Sequence, residues 1–268
     1  MKNIFTILLL SLLFAGCAIS EKSKTHELVI LHTNDHHGAI LPINSKGGLA
    51  QRSTYINSVK STSPNLLILD AGDMNTGSVV SDMFDALPDI KAYNAIGYDA
   101  VTLGNHEFDG GYQKLLKQIK HSKFKWLSAN VLDQNKTPIV DPFIIRDFDG
   151  FRVGVFGITT VQTKSSSSPG SELIFENEIS SAKKYIKILK DTYKADIIIA
   201  FGGFITFLVA IINFKKKEIY THEQNVILGD SIKYSSFFVD KIFTSFPICN
   251  KENKKYIFED KEVLKKCE

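Results

Sequence analysis

Six short apolar segments, separated by helical patterns, are the feature that most constrains the fold of this chain. Continuous apolar runs of about four to eight residues are typical of strands that are buried on both faces of a sheet. Strands that alternate with helices predict an α/β fold with covered sheets. The apolar runs lie at 28–32, 66–69, 100–103, 126–130, 151–158 and 195–200.

The segments between these runs carry apolar residues at steps of three and four, which is typical of amphipathic helices. In the last of these segments, lysines occupy the opposite face. The predicted helical faces are Leu49, Arg52, Ile56 and Val59; then Leu115, Leu116 and Ile119; then Ile179, Ala182, Ile186, Leu189 and Tyr193.

Polar residues follow three of the predicted strands at the points where the strands end. Asp35, Asp73 and Asn105 each stand just beyond an apolar run. In α/β folds the carboxyl ends of the strands are where ligands bind. The sequence therefore predicts one site to which all three loops contribute.

The first loop presents a carboxylate and an imidazole together. Asp35 and His37 are two residues apart, so in an extended chain their side chains leave on the same side, and His36 points the other way. This pair suits a divalent ion such as Zn²⁺ or Mn²⁺. A solvated polar turn is the alternative interpretation.

The second and third loops add oxygen donors and a second histidine. Gly72 allows a sharp turn, and the carboxylate of Asp73 can bridge two cations, although it could equally cap a helix. Asn105 offers an amide oxygen, and His106 could donate a proton to a leaving group. Asp109, three residues on, could orient that imidazole.

The ordered set Asp-x-His, Gly-Asp and Gly-Asn-His-Glu resembles the calcineurin-type metallophosphoesterases. The fuller strings at 31–38 and 104–109 resemble the 5′-nucleotidase branch of that family. The resemblance covers Leu28 to about Ala200, including the segment 127–131. It implies a metallophosphoesterase-like αββα sandwich, incomplete after residue 200.

The resemblance also implies a role for each site residue. Asp35 and His37 would bind the first metal, Asp73 would bridge both metals, and Asn105 would bind the second. His106, steadied by Asp109, would stabilise the transition state of ester hydrolysis. The implied cofactors are two divalent ions, Zn²⁺, Mn²⁺ or similar, and the implied substrate is a phosphate monoester or a nucleotide. The remaining matches, His32, Glu107 and Phe108, are expected to be structural.

The chain departs from the family pattern after the strand at 195–200. There the resemblance implies a turn containing a metal-binding histidine, and later a second histidine turn, but this chain reads Phe201-Gly202-Gly203. His222 is the only downstream histidine and matches neither turn. We therefore divide the chain into a core at 27–200 and a divergent tail at 201–268.

This departure leaves several hypotheses open. The chain could be an active phosphoesterase, or a truncated and catalytically inactive member of the family. The tail could be translated out of frame. The apolar run at 197–212 could instead span a membrane, giving a bitopic protein.

The amino terminus predicts export and lipidation. A cationic start and an apolar stretch over residues 1–16 are typical of a signal peptide, and Cys17 follows Ala15 and Gly16 as in a lipobox. Residues 17–26 would form a tether on the outer face of a cell-envelope membrane, in the periplasm or outside the cell. An ordinary cleaved signal is the alternative. Cys249 and Cys267 could pair or remain thiols.

The charge pattern excludes one class of partner. The net charge is +3, and no basic stripe with interleaved aromatic residues is present. Nucleic-acid polymers are therefore not expected as partners. The oligomeric state is left open.

Overall fold

Strands and helices alternate along the chain in the computed structural model, which describes residues 26–42, 44–202, 220–223, 239–244 and 256–257. The strands are β1 (Val29–Thr33), β2 (Leu66–Asp70), β3 (Ala100–Thr102), β4 (Lys125–Leu127), β5 (Val131–Leu132), β6 (Phe143–Phe148), β7 (Phe151–Gly157), β8 (Ile174–Phe175), β9 (Ile197–Phe201), β10 (Tyr220–Glu223), β11 (Lys241–Thr244) and β12 (Tyr256–Ile257). The α-helices are α1 (Gly48–Lys60), α2 (Val79–Met83), α3 (Leu87–Ile96), α4 (Gly111–His121), α5 (Thr163–Ser166) and α6 (Glu178–Asp191), and a 3₁₀ turn covers His106–Phe108.

The first four strands form one parallel sheet in the order β1-β2-β3-β4. Neighbours in this sheet are consecutive along the chain, so their carboxyl ends lie side by side at one edge. Thr33 is paired with Asp70, and Asp70 with Val101. The loops that follow β1, β2 and β3 therefore emerge next to one another.

A second sheet has the order β6-β7-β9, with β6 antiparallel and β9 parallel to β7. The two sheets pack face to face because each turns apolar side chains toward the other. In β2 these are Leu67 and Leu69, and in β7 they are Val153 and Val155; all four side chains are buried. The alternation along each strand directs the intervening residues to the opposite face.

Helices cover both outer faces of this pair of sheets. Ile68 of β2 packs in the same apolar cluster as residues of α1, α3 and α4, among them Ile56, Ile90 and Leu115. Phe156 of β7 packs with α6 through residues that include Leu189. Helices, two sheets and a further helix thus form an αββα sandwich, and the predicted α/β fold with a parallel sheet is confirmed.

Asn130 joins the ends of the two sheets. Its side-chain amide donates to the carbonyl oxygens of Thr159 and Glu176, and its Oδ1 accepts from the backbone N–H of Thr159. Ser128 also contacts the Thr159 hydroxyl, at 2.9 Å. All of the side chains that form this junction are buried, which holds the loops after β4 and β7 in a defined arrangement.

Some element boundaries differ from the predictions. The strand predicted at 126–130 ends at Leu127, because the backbone then turns to make the Asn130 junction. The pattern missed β6, an edge strand whose side chains are mostly half-buried or exposed, and so lacks a continuous apolar run. It also missed the helices α2 and α3.

The tail is described only in part. Residues 197–201 form β9, so the start of the hypothesised span at 197–212 is a strand rather than a helix, and residues 203–212 lie outside the described part. Within the described residues, no helix has the length and apolar character needed to cross a bilayer. Three short strands, β10, β11 and β12, pair in parallel. The predicted signal peptide, Cys17, Cys249 and Cys267 lie outside the described residues.

Candidate metal centre

Backbone hydrogen bonds join the loop after β1 to the loop after β2. The N–H groups of Asp35, His37 and Gly38 donate to the carbonyls of Gly72, Asp73 and Met74, at 3.0 Å in each case. The two loops therefore run together beyond the end of the sheet. This pairing brings the first two predicted clusters into contact.

The loop residues adopt left-handed backbone conformations rather than the extended chain from which the sequence argument began. Asp35, His37 and Asp73 have φ angles of 49°, 46° and 57°. Non-glycine residues adopt this region uncommonly, and such residues cluster at functional sites. The conformation differs from the prediction, yet the side chains still converge.

Asp35, His37 and Asp73 each offer one ligand atom, and these atoms lie within 4.8 Å of one another. The Nδ1 atom of His37 donates to the carbonyl oxygen of Thr76 at 2.9 Å, which leaves Nε2 as the nitrogen with a free lone pair. Holding the second ring nitrogen in this way is how proteins orient a metal-binding histidine. Two carboxylates and one imidazole suit Zn²⁺ or Mn²⁺, so the donor set fits the implied metal.

Asp73 is surrounded by groups of both charges. Burial raises the pKa of its carboxyl, and the charge of Asp35 adds to this effect. The N–H of His106 donates to Asp73 Oδ1 at 2.9 Å and lowers the pKa, as do the charges of His106 and His37, but burial prevails. A bound divalent cation would favour the ionised carboxylate.

The third loop presents a histidine that is held by a carboxylate. His106 Nδ1 donates to Asp109 Oδ2 at 2.7 Å, and the His106 ring lies 4.8 Å from the His37 ring, centre to centre. Burial lowers the pKa of His106, but the hydrogen bond and charge of Asp109, together with the charges of Asp73 and Glu107, outweigh burial, so the net pKa is raised. The predicted pairing of His106 with Asp109 is thus present in the structure.

Asp109 is itself held on both carboxylate oxygens. Oδ2 also accepts from the Thr76 hydroxyl, and Oδ1 accepts from the Ser167 hydroxyl, both at 2.7 Å. Burial raises the pKa of Asp109, but the hydrogen bonds from His106, Thr76 and Ser167 outweigh burial and lower it. The carboxylate therefore carries the charge that orients the His106 ring.

Glu107 is buried beneath the loops and holds their backbone. Its carboxylate accepts from the N–H groups of Asp73, Met74 and Gly104, at 2.7–2.9 Å. Burial, followed by the charge of Asp73, raises the pKa of Glu107 to about 7. Glu107 therefore has the expected structural role, because it supports the turn that carries Asp73.

The remaining motif residues lie around this centre. Asn105 directly precedes the 3₁₀ turn and its first residue, His106, whose N–H contacts Asp73. The role of Asn105 as a ligand stays a prediction. His32 lies 5.8 Å, ring to ring, from Phe201, and Phe108 is fully buried. His36 points away from the cluster, as predicted, and contacts the buried Asp89 at 2.9 Å.

Sequence reasoning missed several residues that support the site from behind. Asp70 is fully buried and accepts from the N–H of Gly72 and the hydroxyl of Tyr93, at 2.9 Å and 3.0 Å. Asp89, Thr76 and Ser167 were not identified either. Asp70 stands two residues before the Gly72-Asp73 motif and could have been found, but nothing local marks the other three residues.

The end of β9 differs from the ends of β1, β2 and β3. Phe201 accepts a backbone hydrogen bond from Ile158 at 2.9 Å, and Gly202, at φ 124°, lies so close to Ile158 that any side chain would collide with its carbonyl oxygen. The contact between Phe201 and His32 puts this strand end near β1. Neither Phe201 nor Gly202 offers a side-chain metal donor.

Comparisons with known proteins find relatives of one family. The family model described as calcineurin-like phosphoesterase matches residues 28–205. A 5′-nucleotidase of Vibrio cholerae is 40% identical over 200 residues, which cover 69% of this chain and 36% of that protein. Protein UshA of Yersinia enterocolitica is 39% identical over 204 residues, covering 72% and 37%. The chain thus spans about a third of the length of these relatives.

A solved structure has the same architecture. The NAD nucleotidase of Haemophilus influenzae superposes with a TM-score of 0.65 and 27% identity, over 88% of this chain and 40% of that protein. This likeness includes the αββα sandwich described above.

Proposed function

This chain belongs to the calcineurin-like phosphoesterase family, and from that premise we propose that it hydrolyses phosphate monoesters, 5′-nucleotides among them, with the help of divalent metal ions. The observation that carries the proposal is the convergence of Asp35, His37 and Asp73, whose ligand atoms lie within 4.8 Å of one another. The 5′-nucleotidase relatives support the nucleotide part of the proposal.

Two groups of residues would have separate roles in ester hydrolysis. Asp35, His37 and Asp73, with Asn105, would hold the metal. A divalent cation, when bound, supplies Lewis-acid charge and lowers the pKa of water. The His106 ring, whose Nδ1 is held by Asp109, has Nε2 available to donate a hydrogen bond to a phosphoryl oxygen or a proton to the leaving alcohol oxygen.

The direct test is hydrolysis by the full chain, purified in a mild detergent. We expect turnover of 4-nitrophenyl phosphate and of AMP that requires added Mn²⁺ or Zn²⁺ and is lost in Asp73→Ala. A wild-type chain that is folded but no faster than Asp73→Ala would overturn the proposal.

One observation favours a second function, binding of a metal without turnover. The end of β9 carries Phe201 and Gly202, where the family resemblance implies a histidine ligand. A centre with fewer ligands positions a cation less well. In this case Mn²⁺ would still stabilise the wild-type chain, measured as a rise in melting temperature that Asp73→Ala abolishes, although no ester is cleaved.

We also propose that the chain is a lipoprotein of the cell envelope, anchored through Cys17. The support is the signal-like segment 1–16 followed by the cysteine. In a bacterial host grown with labelled palmitate, the wild-type chain should carry label and sediment with membranes, and Cys17→Ser should do neither. Equal labelling of both chains would contradict this proposal.

A further inference from the structure

Thr76 touches both halves of the candidate centre through different atoms. Its carbonyl oxygen accepts from His37 Nδ1 at 2.9 Å, and its hydroxyl donates to Asp109 Oδ2 at 2.7 Å. The same Asp109 oxygen accepts from His106 Nδ1 at 2.7 Å. A single half-buried residue therefore connects the metal-binding histidine with the histidine that would act on the ester.

The backbone of Thr76 is in an unfavourable conformation for its side chain. Its φ angle is 63°, in the left-handed region, where a β-branched residue is an outlier. A glycine would adopt this conformation without strain. Residues in strained conformations persist where the surrounding structure holds them, and they cluster at functional sites. The strain at Thr76 therefore indicates that its hydroxyl has a function.

The Thr76 hydroxyl is one of three groups that hold the Asp109 carboxylate. Ser167 holds Oδ1 at 2.7 Å, whereas Oδ2 is shared by Thr76 and His106. If the Thr76 hydroxyl were lost, Oδ2 would keep only the hydrogen bond from His106. The carboxylate could then rotate, and the imidazole ring would rotate with it.

We propose that Thr76 is a positioning residue that couples the two histidines: its carbonyl orients the His37 ring, and its hydroxyl orients the His106 ring through Asp109. This inference rests on the proposed function, because the two rings have distinct tasks only if an ester is cleaved at a metal centre. The two contacts are separable, since a side-chain substitution leaves the carbonyl in place.

The experiment compares Thr76→Val and Thr76→Ser in the full chain. Valine keeps the shape and the carbonyl but removes the hydroxyl, and serine retains the hydroxyl. In T76V we expect kcat for 4-nitrophenyl phosphate to fall about 10-fold, as for the loss of one hydrogen bond to a charged group, with KM and Mn²⁺ affinity within about two-fold of wild type. In T76S we expect kcat to return to near the wild-type value.

A glycine variant separates positioning from stability. Thr76→Gly also lacks the hydroxyl but relieves the backbone strain, so it should melt above T76V while showing the same loss of kcat. Thr54→Val is the matched control, because among the described residues the Thr54 hydroxyl hydrogen-bonds only to the carbonyl of Ala50 within α1. A loss of kcat that follows melting temperature rather than the hydroxyl would overturn the proposal, as would an unchanged kcat in T76V or a parallel loss of Mn²⁺ affinity.

A spectroscopic readout keeps the inference testable even if the wild-type chain has no turnover, which would count against the proposed function alone. In histidine-labelled protein, the Nδ1–H proton of His106 should give a protected resonance in nuclear magnetic resonance spectra. We expect this resonance in the wild type and T76S, and its broadening or loss in T76V. An identical resonance in T76V would overturn the inference.

Discussion

The loops after β1, β2 and β3 differ in chemistry from the end of β9, which belongs to the other sheet and contacts β1 through Phe201 and His32. The first three loops bring carboxylates and imidazoles together and tie them to one another through backbone hydrogen bonds. The end of β9 presents Phe201 and Gly202, packed against the backbone of Ile158. The three loops therefore supply candidate metal ligands, whereas the end of β9 has no side-chain donor among its described residues.

This difference teaches that the three residues of the candidate metal centre are held in place without β9. Asp35, His37 and Asp73 are held by Thr76, by Glu107 and by the pairing of their own loops. The arrangement of these three ligand atoms therefore needs no contribution from the end of β9. Whether that site also supports turnover is what the following substitutions measure.

The largest effect should come from Asp73→Asn, which removes a carboxylate of the candidate metal centre. We expect Mn²⁺ binding, followed by calorimetry, to be lost and hydrolysis to fall by about 1000-fold or more, because the charge that holds the cation is gone. The matched control is Asp149→Asn, an exposed aspartate with a similar φ angle of 52°. If Asp73→Asn bound Mn²⁺ as tightly as the wild type, Asp73 would not be a metal ligand and the contrast between the loops and the end of β9 would fail.

Glu107→Gln should change how stability depends on pH. Burial raises the pKa of Glu107 to about 7, so the native chain holds a proton there that the unfolded chain releases between pH 4.5 and 7. As pH rises through this window, the wild type should lose on the order of 3 kcal/mol of unfolding free energy relative to the variant. Urea unfolding in the presence of EDTA measures this difference.

The control for this comparison is Glu172→Gln, whose carboxylate is exposed. It should follow the wild type at every pH. If the unfolding free energies of the wild type and Glu107→Gln instead differ by a constant amount from pH 4.5 to pH 8, the buried carboxyl does not titrate in that window.

Asp109→Asn should produce a smaller loss of rate with a shifted pH profile. Asp109 raises the pKa of His106, so the protonated ring persists to higher pH in the wild type. In the variant that pKa falls, and the descending basic limb of the kcat profile should move to lower pH, with kcat about 10-fold lower at its maximum. A profile of reduced height and unchanged shape would show that Asp109 does not act through His106.

The smallest effect should come from His222→Ala. His222 lies in β10, and its sequence context matches neither histidine turn implied by the resemblance. We expect Mn²⁺ affinity and kcat to stay within about two-fold of wild type. A ten-fold loss of Mn²⁺ affinity would contradict this expectation, because the tail would then supply the donor that the end of β9 lacks.

The sequence predicted the parts of the site that are encoded locally. The order of the apolar runs predicted the α/β fold, and the motifs around Asp35, Asp73 and His106 predicted which side chains converge. The support from Thr76 and Ser167 could not be predicted, because these residues meet Asp109 from positions 33 and 58 residues away in the chain. Nor does a threonine signal a left-handed conformation, since its branched side chain disfavours it.

The consecutive order of β1, β2, β3 and β4 has a consequence for synthesis on the ribosome. Every residue of the candidate centre from Asp35 to Asp109 precedes β4, so its ligands have been synthesised when about half of the chain has emerged. Domains generally fold as units, and the inner face of this sheet is covered by Val153 and Val155 of β7. The candidate centre is therefore early in translation order, but its supporting sheet is buried only after β7 has left the exit tunnel.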